Sequence, residues 1–87
     1  MSTADLIRQR LTALEPETCA LEDESAQHRG HAGAASGGGH FRLTLVSSKF
    51  RNLTTLARHR LVYETLGELM QHEIHALSIT ALTPEEL

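Results

Sequence analysis

The spacing of apolar positions switches repeatedly along the chain between helical and alternating, and each switch marks an element. Across residues 3–14 (TADLIRQRLTAL), Leu6, Ile7, Leu11 and Leu14 share one helical stripe. This predicts an amphipathic helix with Ser2 or Thr3 as N-cap and Asp5 in its first turn. Glu15-Pro16-Glu17 ends it, because proline disfavours helical backbone at the residue before it. From Thr18 to Glu24 the pattern alternates, with Cys19 and Leu21 on one side, as in a short edge strand. Residues 40–47 (HFRLTLVS) alternate most clearly, Phe41, Leu43 and Leu45 facing one way and Arg42 and Thr44 the other.

Residues 48–53 read as a turn, and helical spacing returns over residues 54–72. There Leu56, His59 or Arg60, Tyr63, Leu66, Leu69 and Met70 predict a long second helix capped by Thr54 or Thr55. Gly67 inside it costs about 1 kcal/mol relative to alanine, so a bend or a close contact is expected there. Alternation resumes from Glu73 to Leu82, with Leu77, Ile79 and Ala81 opposite Ser78 and Thr80. Thr83-Pro84-Glu85-Glu86-Leu87 then spells a capped first helical turn.

The predicted class is α/β in the sense of α+β, in the order α-β-β-α-β-(α). The strand, helix, strand passage requires a right-handed parallel crossover, so the three-stranded sheet is mixed. Both helices are expected on one sheet face, leaving the other open to solvent or a partner.

Between the first two predicted strands lies AQHRGHAGAASGGG, residues 26–39, holding five of the six glycines and no large apolar side chain. This predicts a long loop, and long loops inside compact domains are usually functional or disordered. It carries His28 and His31, and Gly30-His31-Ala32-Gly33 has the GxxG spelling of a nucleic-acid clamp. Such a clamp joins two helices, however, and this stretch joins two strands, so it carries little weight as a phosphate site.

Composition narrows the function classes. With 87 residues the chain suits one domain, residues 1–87, burying only about 60% of the surface its unfolded form exposes, which disfavours a deep private active site. Apolar residues make up 40% but aromatics only 3%, so the core is aliphatic. The single cysteine, Cys19, excludes an internal disulfide, a CxxC pair and a thiolate zinc cage made by this chain alone, and reads as a small core residue. No run approaches the ~20 apolar residues that cross a bilayer, and no leader-like segment opens the chain, so a soluble, cytoplasmic protein is expected. No nucleophile elbow, HExxH or Walker loop appears, which argues against an enzyme.

Net charge is −3, yet every acidic residue lies at or before Glu24 or at and after Glu64. The stretch between holds Arg29, Arg42, Lys49, Arg51, Arg58 and Arg60. Such a basic region attracts an acidic protein surface or a phosphate backbone, unless its charges are merely solvated.

Several segments together resemble the BolA family, in order and spacing, over nearly the whole chain. They are Asp23-Glu24-Ser25; His40-Phe41-Arg42 followed by Val46-Ser47-Ser48 and Phe50; Arg58-His59-Arg60-Leu61-Val62-Tyr63; and Ile74-His75-Ala76-Leu77-Ser78-Ile79 followed by Thr83-Pro84. The resemblance implies a fold similar to the type II KH domain, matching the element order. It also implies a non-enzymatic adaptor that binds a monothiol glutaredoxin and co-ligates a [2Fe-2S] cluster for iron-sulfur trafficking or iron sensing. By that resemblance His75 is an iron ligand, and a second comes from the loop between the first two strands. His28 falls where shorter-loop members carry their histidine, and His31 lies in the inserted GHAG stretch, so both stand as candidates with His28 preferred. Imidazole is a known iron ligand in Rieske-type clusters, but cluster chemistry favours thiolates. The resemblance supplies these from a glutaredoxin cysteine and glutathione, so no cofactor is expected in the isolated chain, which would be a monomer alone or a heterodimer with its partner. The alternative that the family suggests is a DNA-binding transcriptional regulator, for which Lys49, Arg51, Arg58 and Arg60 are the candidate contacts. His59 is expected to be structural or interfacial, and His40 and His72 to have surface or packing roles.

Overall fold

The computed structural model describes residues 1–25 and 38–87. Helix α1 (Thr3–Leu11) starts at Ser2, whose Oγ accepts from Asp5 N at 3.1 Å while the Asp5 carboxylate accepts from Ser2 N at 3.3 Å. This reciprocal pair satisfies two N–H groups that the first helical turn leaves without intrahelical partners. A 3-10 turn, Thr12–Leu14, extends the helix, and the chain reverses at Glu15 in the left-handed region (φ 49°), just before Pro16.

Strand β1 (Thr18–Asp23) runs antiparallel to β2 (Gly39–Val46), and β2 pairs in parallel with β3 (Ile74–Leu82), giving the sheet order β1-β2-β3. The clearest alternating segment is thus the central strand. Its Phe41, Leu43 and Leu45 are buried and pack with Ile7 and Leu11 of α1, with Phe50 from the turn after β2, and with Val62 and Leu66 of the second helix. Each such side chain contributes about 1.5–3 kcal/mol on burial. On the opposite face Ala20, Glu22, Arg42, Ser78 and Thr80 are exposed, so one face carries the core and the other is open, as the pattern predicts.

The second helix departs from expectation in length and in orientation. Helix α2 spans Thr55–Leu66, capped by Thr54, and a 3-10 turn, Gly67–Met70, follows. Gly67 adopts φ 57°, ψ −129°, a backbone that side-chain-bearing residues rarely take, so the helix stops there instead of bending. Arg10 of α1 closes the freed end: its Nη1 donates to Leu66 O and its Nη2 to Glu68 Oε1, both at 3.1 Å. The buried stripe is also different. Leu56 and Tyr63 are exposed, and Val62 and Leu66, four residues apart, enter the core. The final turn, Pro84–Glu86, is capped by Thr83 as the sequence suggests.

Candidate functional site

Among the described residues the sheet contains one irregularity, and it falls on a candidate ligand. In the parallel ladder Gly39 faces Ile74 and His40 faces Ala76, so His75 has no partner across the strand pair. The extra residue lets Ile74 and Leu77 both point at the core although their spacing is odd. Its consequence is that His75 is exposed, turned outward at the end of the sheet. Bulges of this kind re-aim side chains next to functional sites.

The neighbouring backbone is built around that histidine. Gly39 N donates to Glu73 O at 3.0 Å, and a Cβ placed on Gly38 would lie 2.6 Å from the Cβ of His75, so only glycine fits there without a shift. The His40 and His75 rings have centroids 5.0 Å apart at a 45° tilt. On the other side of β2, His40 N donates to Ser25 Oγ at 3.1 Å and Glu24 N to His40 O at 2.7 Å. Ser25 N in turn donates to Asp23 Oδ1 at 2.9 Å, and hydrogen bonding from Ser25 holds the Asp23 carboxyl below its usual range. Ser25 and Gly38 flank residues 26–37, and both meet at the His75 end of the sheet. His28, His31 and the GxxG spelling lie outside the described residues.

Among the described residues no group of three or more His, Cys, Asp or Glu side chains could hold a metal ion. Cys19 lies toward the other end of β1, opposite Leu45, half-buried on the core side, and burial pushes its thiol above the usual range. It supplies no thiolate near His75. The donor set at this place is therefore imidazole, which fits one side of a histidine-ligated cluster and needs sulfur ligands from elsewhere. His72 is exposed on the turn before β3, and His59 is half-buried on α2.

The four basic candidates separate. Arg58, with its side chain 12% exposed, donates to Leu53 O and Ala81 O at 3.0 Å and to both carboxylate oxygens of Glu86 at 2.6 and 3.2 Å. Arg51 is paired with Glu85. The hydrogen bonds from Arg51 and Arg58 lower the Glu85 and Glu86 carboxyls to about 2. Lys49 and Arg60 are exposed. Two features escaped the sequence reading. The closeness of His40 to His75 depends on the β2-β3 register, and the anchoring of Arg51 and Arg58 depends on the acidic pair in the last turn.

Fold and site together define a small α+β domain whose open sheet end presents an outward-turned histidine beside a second one. The chain belongs to the BolA family: the family model described as BolA-like protein matches residues 11–86. It is 37% identical to the DNA-binding transcriptional regulator BolA of Haemophilus influenzae, over 99% of this chain and 82% of that protein. It is 46% identical to BolA-like protein 1 of Mus musculus over 85% of this chain, spanning 52% of the mouse protein. Among solved structures, the BolA domain of SufE1 from Arabidopsis thaliana superposes with a TM-score of 0.87 at 39% identity, covering 100% of this chain and 98% of that one. A further relative is named as chloroplastic, so family membership fixes no compartment. No described helix is long and apolar enough to cross a membrane.

Proposed function

We propose that the chain is a non-enzymatic adaptor that binds a monothiol glutaredoxin and co-ligates a [2Fe-2S] cluster with it and glutathione, in iron-sulfur trafficking or iron sensing. The observation that carries this reading is the bulge that turns His75 to solvent at the end of the sheet where Gly38 packs against it and Ser25 binds the His40 backbone. His75 is one ligand, and His28 or His31, from the segment that Ser25 and Gly38 flank, is the other. The cluster would supply iron sites that accept imidazole. This chain contributes an imidazole on a rigid strand, while the sulfur ligands come from the glutaredoxin cysteine and the glutathione thiol. A reducing, cytoplasmic setting suits a chain whose lone thiol, Cys19, is a core residue.

Mixing the purified chain with a monothiol glutaredoxin, glutathione, iron and sulfide is expected to give a visible charge-transfer spectrum distinct from that of the glutaredoxin alone. His75→Ala should abolish the difference. An unchanged spectrum in that variant rejects the ligand assignment.

A second reading, DNA-binding regulation, is favoured by the names of the Haemophilus influenzae and Vibrio cholerae relatives. In this chain Lys49 and Arg60 are its exposed contacts, whereas Arg51 and Arg58 are engaged by Glu85 and Glu86. Titration against duplex DNA should show affinity at about 150 mM salt that falls as salt rises, and weaker binding in Lys49→Ala/Arg60→Ala. Absence of binding removes this reading.

A further inference from the structure

We infer that His40 and His75 together form a site for a single divalent transition-metal ion of tetrahedral preference, such as Zn²⁺, in the chain without any partner. The inference shares His75 with the cluster reading but requires neither glutaredoxin nor sulfide.

Geometry carries it. A zinc ion sits about 2.0–2.1 Å from an imidazole nitrogen, and that nitrogen about 1.1 Å from its ring centre, so two imidazoles on one tetrahedral ion have centroids about 5 Å apart. The His40 and His75 rings are 5.0 Å apart, and their 45° tilt is not the parallel arrangement of a stacked pair. The pair is also pre-arranged. His40 is half-buried in β2, its backbone N–H held by Ser25 Oγ and its carbonyl by Glu24 N, so its main chain is fixed on both sides. His75 sits on the bulge, exposed, and Gly38 packs against its Cβ. His75 opens the pair to solvent, while His40 Nε2 lies buried behind it. On a tetrahedral ion two protein ligands leave two coordination positions for water or for groups brought by a partner. His40 thus acquires a role that its place at the start of a strand did not suggest.

The test is a Zn²⁺ titration of the full chain, followed by calorimetry and by long-range nitrogen-proton spectra of the imidazoles. The His40 and His75 ring signals are expected to move together along one saturation curve at one equivalent. His40→Asn and His75→Asn should each weaken Zn²⁺ binding about tenfold or more, and His28→Ala/His31→Ala should keep the coupled response. Movement of His75 without His40 overturns the inference, as does a His40→Asn variant that binds like the unaltered chain. Loss of the coupled response in His28→Ala/His31→Ala overturns it as well. The ring spectra of the unaltered chain decide the matter even if His40→Asn does not fold. Because no glutaredoxin is present, failure here leaves the cluster spectrum to be judged separately, and failure of the cluster spectrum leaves the zinc response intact.

Discussion

At the Val46 end of the sheet the chain closes on itself, whereas at the His75 end it turns one imidazole outward. At the closed end Ser47 is fully buried, its Oγ donating to Leu14 O at 2.6 Å and accepting from Lys49 N at 3.0 Å, while its N–H reaches Leu82 O at 2.9 Å. Glu17 N caps Val46 O, and Arg58 ties Leu53, Ala81 and Glu86 together. At the other end the ladder skips a residue and leaves His75 exposed beside His40. Buried polar groups that are fully bonded rigidify a fold, and exposed ones with an irregular backbone are free to serve a ligand. The interlocked polar contacts and the proposed binding site therefore fall at opposite ends of one small sheet, and substitutions should separate them.

The largest effect is expected at the closed end. Phe50→Ala empties the side of the core beneath β2 and should cost about 3–5 kcal/mol, read as a lower urea midpoint. Ser47→Ala leaves the Leu14 carbonyl without its hydroxyl donor in a buried setting and should cost about 1–3 kcal/mol, without altering the His75 ring signals. Gly38→Ala presses a methyl group on the His75 backbone, so β2 and β3 must part at the bulge. A cost of about 1–3 kcal/mol is expected, here together with a changed His75 environment.

Acid separates the ends more gently. Glu85 and Glu86 have carboxyls lowered to about 2 from an ordinary value near 4.5, so the stability they contribute is present above that ordinary value and is lost as pH falls toward 2. Both groups are exposed to solvent, so the effect is small. The urea midpoint of Glu85→Gln/Glu86→Gln should fall less steeply than that of the unaltered chain below pH 4.5, and equal slopes contradict the assignment. Least of all, His75→Ala at an exposed position should change stability by no more than about 0.5 kcal/mol while removing the proposed ligand.

The closed end was partly legible in the sequence. The alternation of Phe41, Leu43 and Leu45 places the central strand, and Thr83-Pro84-Glu85-Glu86 announces a capped turn. What the pattern does not disclose is that Glu85 and Glu86 reach back to Arg51 and Arg58, since such pairing depends on where the turn after β2 and the first turn of α2 lie against the end of β3. Helix α2 departs from its apolar pattern for a physical reason. Leu56 and Tyr63 are apolar enough to suggest a stripe, but the core accepts the face of Val62 and Leu66, and Gly67 needs a positive φ that ends the helix. At the open end His75 stood out through a family resemblance, not through spacing. The odd interval between Ile74 and Leu77 was the local sign of a bulge, and His40 became a neighbour only once the parallel register was known.

The central claim is that His75 offers its imidazole to the iron of a shared cluster, and the most direct measurement is nitrogen hyperfine coupling. The reduced cluster would be assembled from this chain, labelled with ¹⁵N-histidine, and an unlabelled monothiol glutaredoxin with glutathione. The predicted result is a strong ¹⁵N coupling that loses its His75 component in His75→Ala while the variant keeps its fold. A spectrum without ¹⁵N coupling, or one that His75→Ala leaves unchanged, would contradict the account.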